Sequence, residues 1–297
     1  MKRIINTILA TIISVGILIS LSPTAYAAET LEIPIMATEA LVGNADTGEI
    51  IYNQNAFERV EPASTTKIMT TLLVLEAIER GQIGLDTEVT VTKSAIGTVQ
   101  YDASHVNPRF KVGEKVNVFE LLLADMVSSD CHSCNILGEL VAGSVPAFAD
   151  MMNKRAAELG CIDTNFVEPS GYPNENHYTN AYSLFLITKE AYKHDLFRML
   201  IACPQIVIPD TNLSGARALE NTNQLIAPGM YYNQYCIGGK TGTANKAGRC
   251  LVALGTKDGK TVITVVLGAQ SVKTPDDISI DMRYFESNRL LKLGLGY

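Results

Sequence analysis

Segments with strand character fall at the two ends of this chain, and the long stretch between them is patterned mainly as helix. Near the start, Ala40-Leu41-Val42 and Glu49-Ile50-Ile51-Tyr52 flank Asp46-Thr47-Gly48, which reads as strand, turn and strand. Near the end, residues 235–243, 250–256 and 261–267 are short, β-rich and separated by Gly-containing turns, one of them Asp258-Gly259. Between these groups the apolar spacing predicts a helix over 64–80, with Ile68, Met69, Leu72, Leu73, Leu75 and Ile78, that stops before Gly81. Further helical patterns cover 121–126, 135–141, 148–159 and 181–191, and a last helix is expected over about 281–293. Strands at both ends imply one folded unit: an α/β fold of two lobes, with an antiparallel sheet built from both chain ends and flanked by helices. A mostly helical lobe, roughly 82–203, is then inserted into it, and the cleft between the lobes is the natural place for a site.

Residues 1–27 have the features of a cleavable export leader. Lys2 and Arg3 give a positive start, residues 4–21 are mostly apolar, and Ala25-Tyr26-Ala27 fits the small-x-small cleavage rule. An uncleaved anchor is the alternative, but the cleavage site directly after the apolar run favours removal. The expected mature chain, 28–297, is one domain. No C-terminal β domain is expected, and no later run is apolar and long enough to span a bilayer, so no C-terminal membrane anchor is expected either. The formal net charge of −7 argues against nucleic acid or anionic lipid as a partner. Six cysteines in an exported chain permit disulfides, but their spacing shows no dense framework, so most are expected to be free thiols.

Three short motifs carry the chemistry. In Ser64-Thr65-Thr66-Lys67 the serine stands at a helix start, with the lysine three residues on and on the same face. A serine needs a base to become a nucleophile, and a lysine in a dry pocket near another cation can lose its proton near neutral pH. The helix start also offers free N–H groups to a developing oxyanion. In Gly238-Gly239-Lys240-Thr241-Gly242-Thr243, glycines inside a strand imply that something approaches the backbone closely, and Lys240 with the two threonine hydroxyls suits a carboxylate. Between them lies Ser128-Ser129-Asp130-Cys131-His132-Ser133-Cys134, read as a loop before the helix at 135. Each motif alone also has an ordinary reading: an N-cap serine, an edge strand with a surface lysine, a polar loop. Their order, S-x-x-K, then a middle serine motif, then K-T-G, is the set shared by penicillin-binding proteins and serine β-lactamases.

With these motifs, and with the stretches ADTGEIIYNQNAFERVEPASTTKIMT, FVEPSGYPNENHYTNAYSL and GGKTGTANKAGRCLVALG, the chain resembles the serine-type D-alanyl-D-alanine carboxypeptidases, the low-molecular-mass penicillin-binding proteins. The resemblance runs from about Ala40 to the end. It implies a two-lobed penicillin-binding protein or β-lactamase-like fold and an acyl-enzyme route. Ser64 would attack the peptide carbonyl, with Lys67 as general base. Ser129 would relay a proton to the departing D-alanine nitrogen, and Lys240 would complete the cluster. Thr241 and Thr243 would hold the substrate's terminal carboxylate, while the N–H groups of Ser64 and Thr243 form the oxyanion hole beside Gly242. It implies peptidoglycan stem peptides ending in D-Ala-D-Ala as substrates, β-lactams as covalent inhibitors, an extracytoplasmic or cell-wall location, and no metal or organic cofactor.

One departure stands out. If Ser129-Asp130-Cys131 is the middle motif, Cys131 replaces the usual asparagine and offers only a weak S–H at the substrate-binding position. Ser128-Ser129-Asp130 is the alternative placement. Arg249, close to the K-T-G strand, is a candidate for the carboxylate and equally for a solvated hairpin position. Glu168 is expected in a structural loop. A class A-like β-lactamase and a covalent β-lactam sensor that does not turn over remain the competing readings. Cysteine at 131 keeps the sensor alive, whereas the intact Ser64, Lys67, Ser129 and Lys240 set favours an enzyme.

Overall fold

The computed structural model describes residues 34–100 and 102–297; the leader expected over 1–27 lies outside them. Among the described residues no helix is long and apolar enough to cross a membrane. The central sheet has the order β2-β1-β9-β8-β7. Strands β1 (Glu39–Asn44) and β2 (Ile50–Gln54) come from the beginning of the chain, and β7 (Cys236–Ala244), β8 (Gly248–Lys257) and β9 (Lys260–Ala269) come from its end. Every neighbouring pair is antiparallel, and the two chain ends join where β1 lies beside β9, with Leu41 opposite Val265. This is the sheet expected from the strand segments at the two ends.

Side chains alternate across the pleat, so each strand feeds two cores. Leu41, Val252, Leu254, Ile263 and Val265 point into the larger core, shared with helices of the inserted lobe. Val42, Leu251, Ala253, Val262 and Val266 meet α8 (Met282–Leu295) on the other face. Because both faces are covered, β8 and β9 read as nearly unbroken apolar runs. Helix α8 lies close to the sheet: a Cβ at Gly294 would come within 2.8 Å of Val42 Cγ2, and one at Gly255 within 2.6 Å of Leu291 Cδ2.

At the centre of the larger core runs α1 (Lys67–Glu79), apolar nearly all round and buried from Lys67 to Leu75. A helix of that composition has no solvent face, and its first residue, Lys67, is fully buried. Around it pack α3 (Val118–Met126), α4 (Cys131–Ala142), α5 (Val145–Glu158), α6 (Ala181–Ala191) and α7 (Asp195–Ala202), while α2 (Lys93–Ile96) packs against α4. Short ribbons, β3 (Glu88–Thr90) with β4 (Lys115–Asn117) and β5 (Gln205–Ile208) with β6 (Arg217–Glu220), edge this lobe, and β10 (Ser271–Lys273) with β11 (Ser279–Asp281) leads into α8.

The structure moves two of the expected boundaries. The helix expected from Ser64 begins as one tight 3-10 turn, Ala63–Thr66, and becomes α-helical at Lys67. The segment taken as a loop up to residue 135 is helical from Cys131, because the Asp130 side chain caps α4 by accepting from Ser133 N at 2.6 Å.

Candidate active site

Three elements meet at one end of α1: the turn before it, the turn before α4, and the edge strand β7. The Lys67 ammonium donates to Ser64 Oγ at 3.2 Å, to the Ser170 carbonyl at 2.6 Å and towards Cys131 Sγ at 3.5 Å. Lys240 Nζ donates to Ser129 Oγ at 2.8 Å and to the Thr241 carbonyl at 3.0 Å. Residues 64, 67, 129, 131 and 240, distant in sequence, thus form one cluster. Lys240 reaches Ser129, Lys67 reaches Cys131, and Asp130 is committed to capping α4, so the geometry matches the Ser129-Asp130-Cys131 placement of the middle motif.

Backbone conformation prepares the two serines. Ala63, just before Ser64, has φ 48°, and Ser129 has φ 61°, both in the left-handed region that non-glycine residues rarely adopt. Such positions cost on the order of 1–3 kcal/mol and persist only where the surroundings enforce them. Around Ser64 the enforcement is visible. A Cβ at Gly242 would lie 3.1 Å from Ser64 N, and one at Gly171 only 1.9 Å from the Ala63 carbonyl oxygen. Both glycines let another backbone press against the turn, and β7 thereby runs past the Ser64 N–H.

The loop 166–172 forms the opposite wall. Glu168 accepts from the N–H groups of Ser170, Gly171 and Tyr172 and from the Ser170 hydroxyl, so its carboxylate is used up inside its own loop. His177 pins this loop to the nucleophile turn. Its Nδ1 accepts from Val167 N at 3.3 Å, which leaves Nε2 protonated to donate to Thr66 Oγ1 at 2.9 Å. Burial pushes the ring's pKa down and keeps it neutral.

The two lysines titrate apart. Burial, together with the Lys67 charge, lowers Lys240 to about 7. For Lys67 burial also works against the charge, but Cys131, Cys134, Asp125 and Glu168 outweigh it and lift the amine above the usual lysine range. The sequence pointed to Lys67 as the amine that sheds its proton near neutrality. In this resting arrangement that amine is Lys240, because Lys67 has sulfur and carboxylate groups around it.

Outside the cluster opens a cleft of about 730 Å³, lined among others by Ser64, Cys131, Tyr172, Thr243, Arg249 and Lys246. Thr243 lines it, whereas Thr241 is 5% exposed, does not line it, and has its hydroxyl 2.5 Å from Thr222 Oγ1. Arg249 borders the cleft with its guanidinium held by Asp281 at 2.8 Å. Sequence reasoning missed a second cation. Arg283, on the first turn of α8, donates to Thr243 Oγ1 at 2.8 Å and to the Gly242 carbonyl at 3.1 Å. Nothing local marks it, since it lies 40 residues beyond Thr243 and arrives only when α8 packs on the sheet. All six cysteines are unpaired thiols.

The profile of the D-alanyl-D-alanine carboxypeptidase family matches residues 24–271. The chain is 33% identical to D-alanyl-D-alanine carboxypeptidase DacF of Bacillus subtilis, over 92% of this chain and 68% of that protein. It is 32% identical to a D-alanyl-D-alanine carboxypeptidase of Streptomyces sp. K15, over 89% of this chain and 92% of that one. Among solved structures it is similar to the Streptomyces K15 DD-transpeptidase, with a TM-score of 0.78 and 29% identity, covering 90% of this chain and all of that one. It is also similar to penicillin-binding protein D2 of Listeria monocytogenes in a cefotaxime-bound form, with a TM-score of 0.74 and 25% identity, over 89% and 99% of the two chains. A serine beside a fully buried lysine at a helix start, closed by a second lysine that reaches from the edge strand to the middle serine, is thus set in a chain that belongs to the D-alanyl-D-alanine carboxypeptidase family.

Proposed function

We propose that Ser64 is the nucleophile with which this enzyme removes the terminal D-alanine of peptidoglycan stem peptides, through an acyl-enzyme that β-lactams trap. One observation carries the reading: Ser64 Oγ lies 3.2 Å from a fully buried lysine amine at the edge of a cleft. The two amines share a single proton near neutral pH. In the reactive microstate it resides on Lys240, which leaves Lys67 neutral to accept the Ser64 proton as Oγ attacks the peptide carbonyl. The C–N bond then breaks, and Ser129, backed by Lys240, passes a proton to the departing D-alanine nitrogen. The N–H groups of Ser64 and Thr243 face the oxyanion. Thr243, held by Arg283, receives the terminal carboxylate, with Thr241 behind it and Arg249 adding positive potential at the rim. Cys131 stands beside Lys67 at the place of a carboxamide and contributes a sulfur in its stead. Water then attacks the acyl carbonyl and regenerates Ser64.

The test is fluorescent penicillin labelling of wild type beside Ser64→Ala, with D-alanine release from a D-Ala-D-Ala peptide followed in the same samples. Both signals should vanish in the variant, and labelling that survives would overturn the assignment. Nitrocefin turnover outpacing D-alanine release would instead point to a β-lactamase, and a stable adduct without peptide turnover to a sensor. A second reading, transfer of the acyl group to an amine, has support in the Streptomyces K15 neighbour, whose structure is described as a DD-transpeptidase. Adding an amine acceptor and measuring cross-linked product separates it from hydrolysis. Cleavage after Ala27 would deliver residues 28–297 outside the cytoplasm as a single catalytic unit, and N-terminal sequencing of the exported protein checks that.

A further inference from the structure

Asp125 belongs to none of the three motifs. It is carried by α3, among Leu121, Leu122, Leu123 and Met126, and is fully buried. Its Oδ2 accepts from Thr71 Oγ1 at 2.8 Å and its Oδ1 from Cys134 Sγ at 3.0 Å. Thr71 stands one helical turn beyond Lys67 on α1, and Cys134 stands one turn beyond Cys131 on α4. Lys67 Nζ and Cys131 Sγ are themselves 3.5 Å apart. The carboxyl therefore lies one turn beneath the Lys67–Cys131 contact, in the wedge between the two helices that carry the chemistry.

We propose that Asp125 is a positioning residue, the buried counter-charge of the Lys67/Lys240 pair, and that it sets the pH at which the pair gives up a proton and Ser64 becomes reactive. This rests on the assignment of Ser64 and Lys67 as nucleophile and base. An isolated carboxylate in this wedge would be costly, and so would two ammonium groups side by side; together they compensate. The charged and titratable groups around it are Lys67 from α1, Cys131 and Cys134 from α4, and Lys240 from β7, with Glu168 acting on Lys67 from the loop. Burial holds the Asp125 carboxyl above its ordinary range, and Lys67, Cys134, Thr71 and Lys240 oppose that rise without cancelling it. The reciprocal effect falls on the lysines, which hold their proton more tightly than they would without it.

The experiment measures the second-order rate of acylation by fluorescent penicillin from pH 5 to 9 in wild type and in Asp125→Asn, an isosteric change that still accepts from Thr71. The acid limb should move down by about one pH unit or more, the scale of a close opposite charge. A rate lowered equally at every pH, with the limb in place, would mean that Asp125 only braces α1, α3 and α4, and it would overturn the proposal. Thr71→Val is the second variant, decisive if Asp125→Asn does not fold. It removes a donor from the carboxyl, which then ionises less readily, so the limb should move down by a smaller amount; an unmoved limb there also overturns the proposal. Failure of the underlying assignment is distinguishable, because it would appear as labelling of Ser64→Ala.

Discussion

Single side chains in the cleft do their work through what surrounds them. Lys240 is lowered to about 7, so below that pH both lysines are charged and, in the proposed mechanism, no amine is free to take the Ser64 proton. Acylation by penicillin should therefore fall about tenfold per pH unit below pH 7 and level off above it, which a stopped-flow pH series checks. Arg283 supports Thr243 from behind through two hydrogen bonds of a charged donor. Replacing it in Arg283→Gln should lower kcat/KM for D-Ala-D-Ala peptides by about 10–100-fold, the scale of losing charge-assisted bonds. For a peptide with an amidated terminus, the variant and wild type should converge. The serine and the two lysines were legible from residue types and spacing. Arg283 and Asp125 were not, since their roles come from neighbours far away in the chain.

Helices and strands hold these groups through caps and close approaches. Asp130 serves two segments at once, accepting from Ser133 N to start α4 and from Val106 N at 2.8 Å to fix the incoming loop. Asp130→Ala should cost about 1–2 kcal/mol of stability, measurable by denaturant unfolding, and should lower acylation as well, because Ser129 and Cys131 flank the cap. On the other side of the sheet, Gly294 allows α8 to sit against Val42 and Val262. Gly294→Val should destabilise the fold by about 1–3 kcal/mol through overpacking, with a lower Tm as the readout. The 3.6-residue and two-residue periodicities revealed the five strands of the central sheet and the helices α1, α3, α4, α5, α6 and α8, but not α2, α7 or the short ribbons. They did not reveal that α4 starts at Cys131, because Ser-Asp-Cys-His-Ser-Cys has no apolar stripe and its helix depends on one capping carboxylate.

Across the whole molecule, the two lobes are also tied by Glu39, a carboxyl of β1 buried completely beneath the start of α6. Its Oε2 accepts from Ala181 N at 2.9 Å, and burial, with Glu58 adding to it, raises its pKa from 4.5 to about 8. The folded protein thus holds a proton that the unfolded chain releases above about pH 4.5. This contribution is present in full below that pH and disappears as pH rises through about 8, at up to roughly 1.4 kcal/mol per pH unit. Glu39→Gln should remove that slope, which Tm measured against pH in both proteins will show. The amino-acid order by itself determined the architecture: strand patterns confined to the chain ends can pair only with each other, and that forces the helical segment between them to become a second lobe. It also determined which serine and lysines are candidates, because their spacing on a helix start and a strand is local. Only the tertiary structure decided which amine loses its proton, which cation holds Thr243 and which carboxyl lies under the cluster. Those properties depend on burial and on through-space charge, and both exist only once distant segments have excluded water from the same crevice.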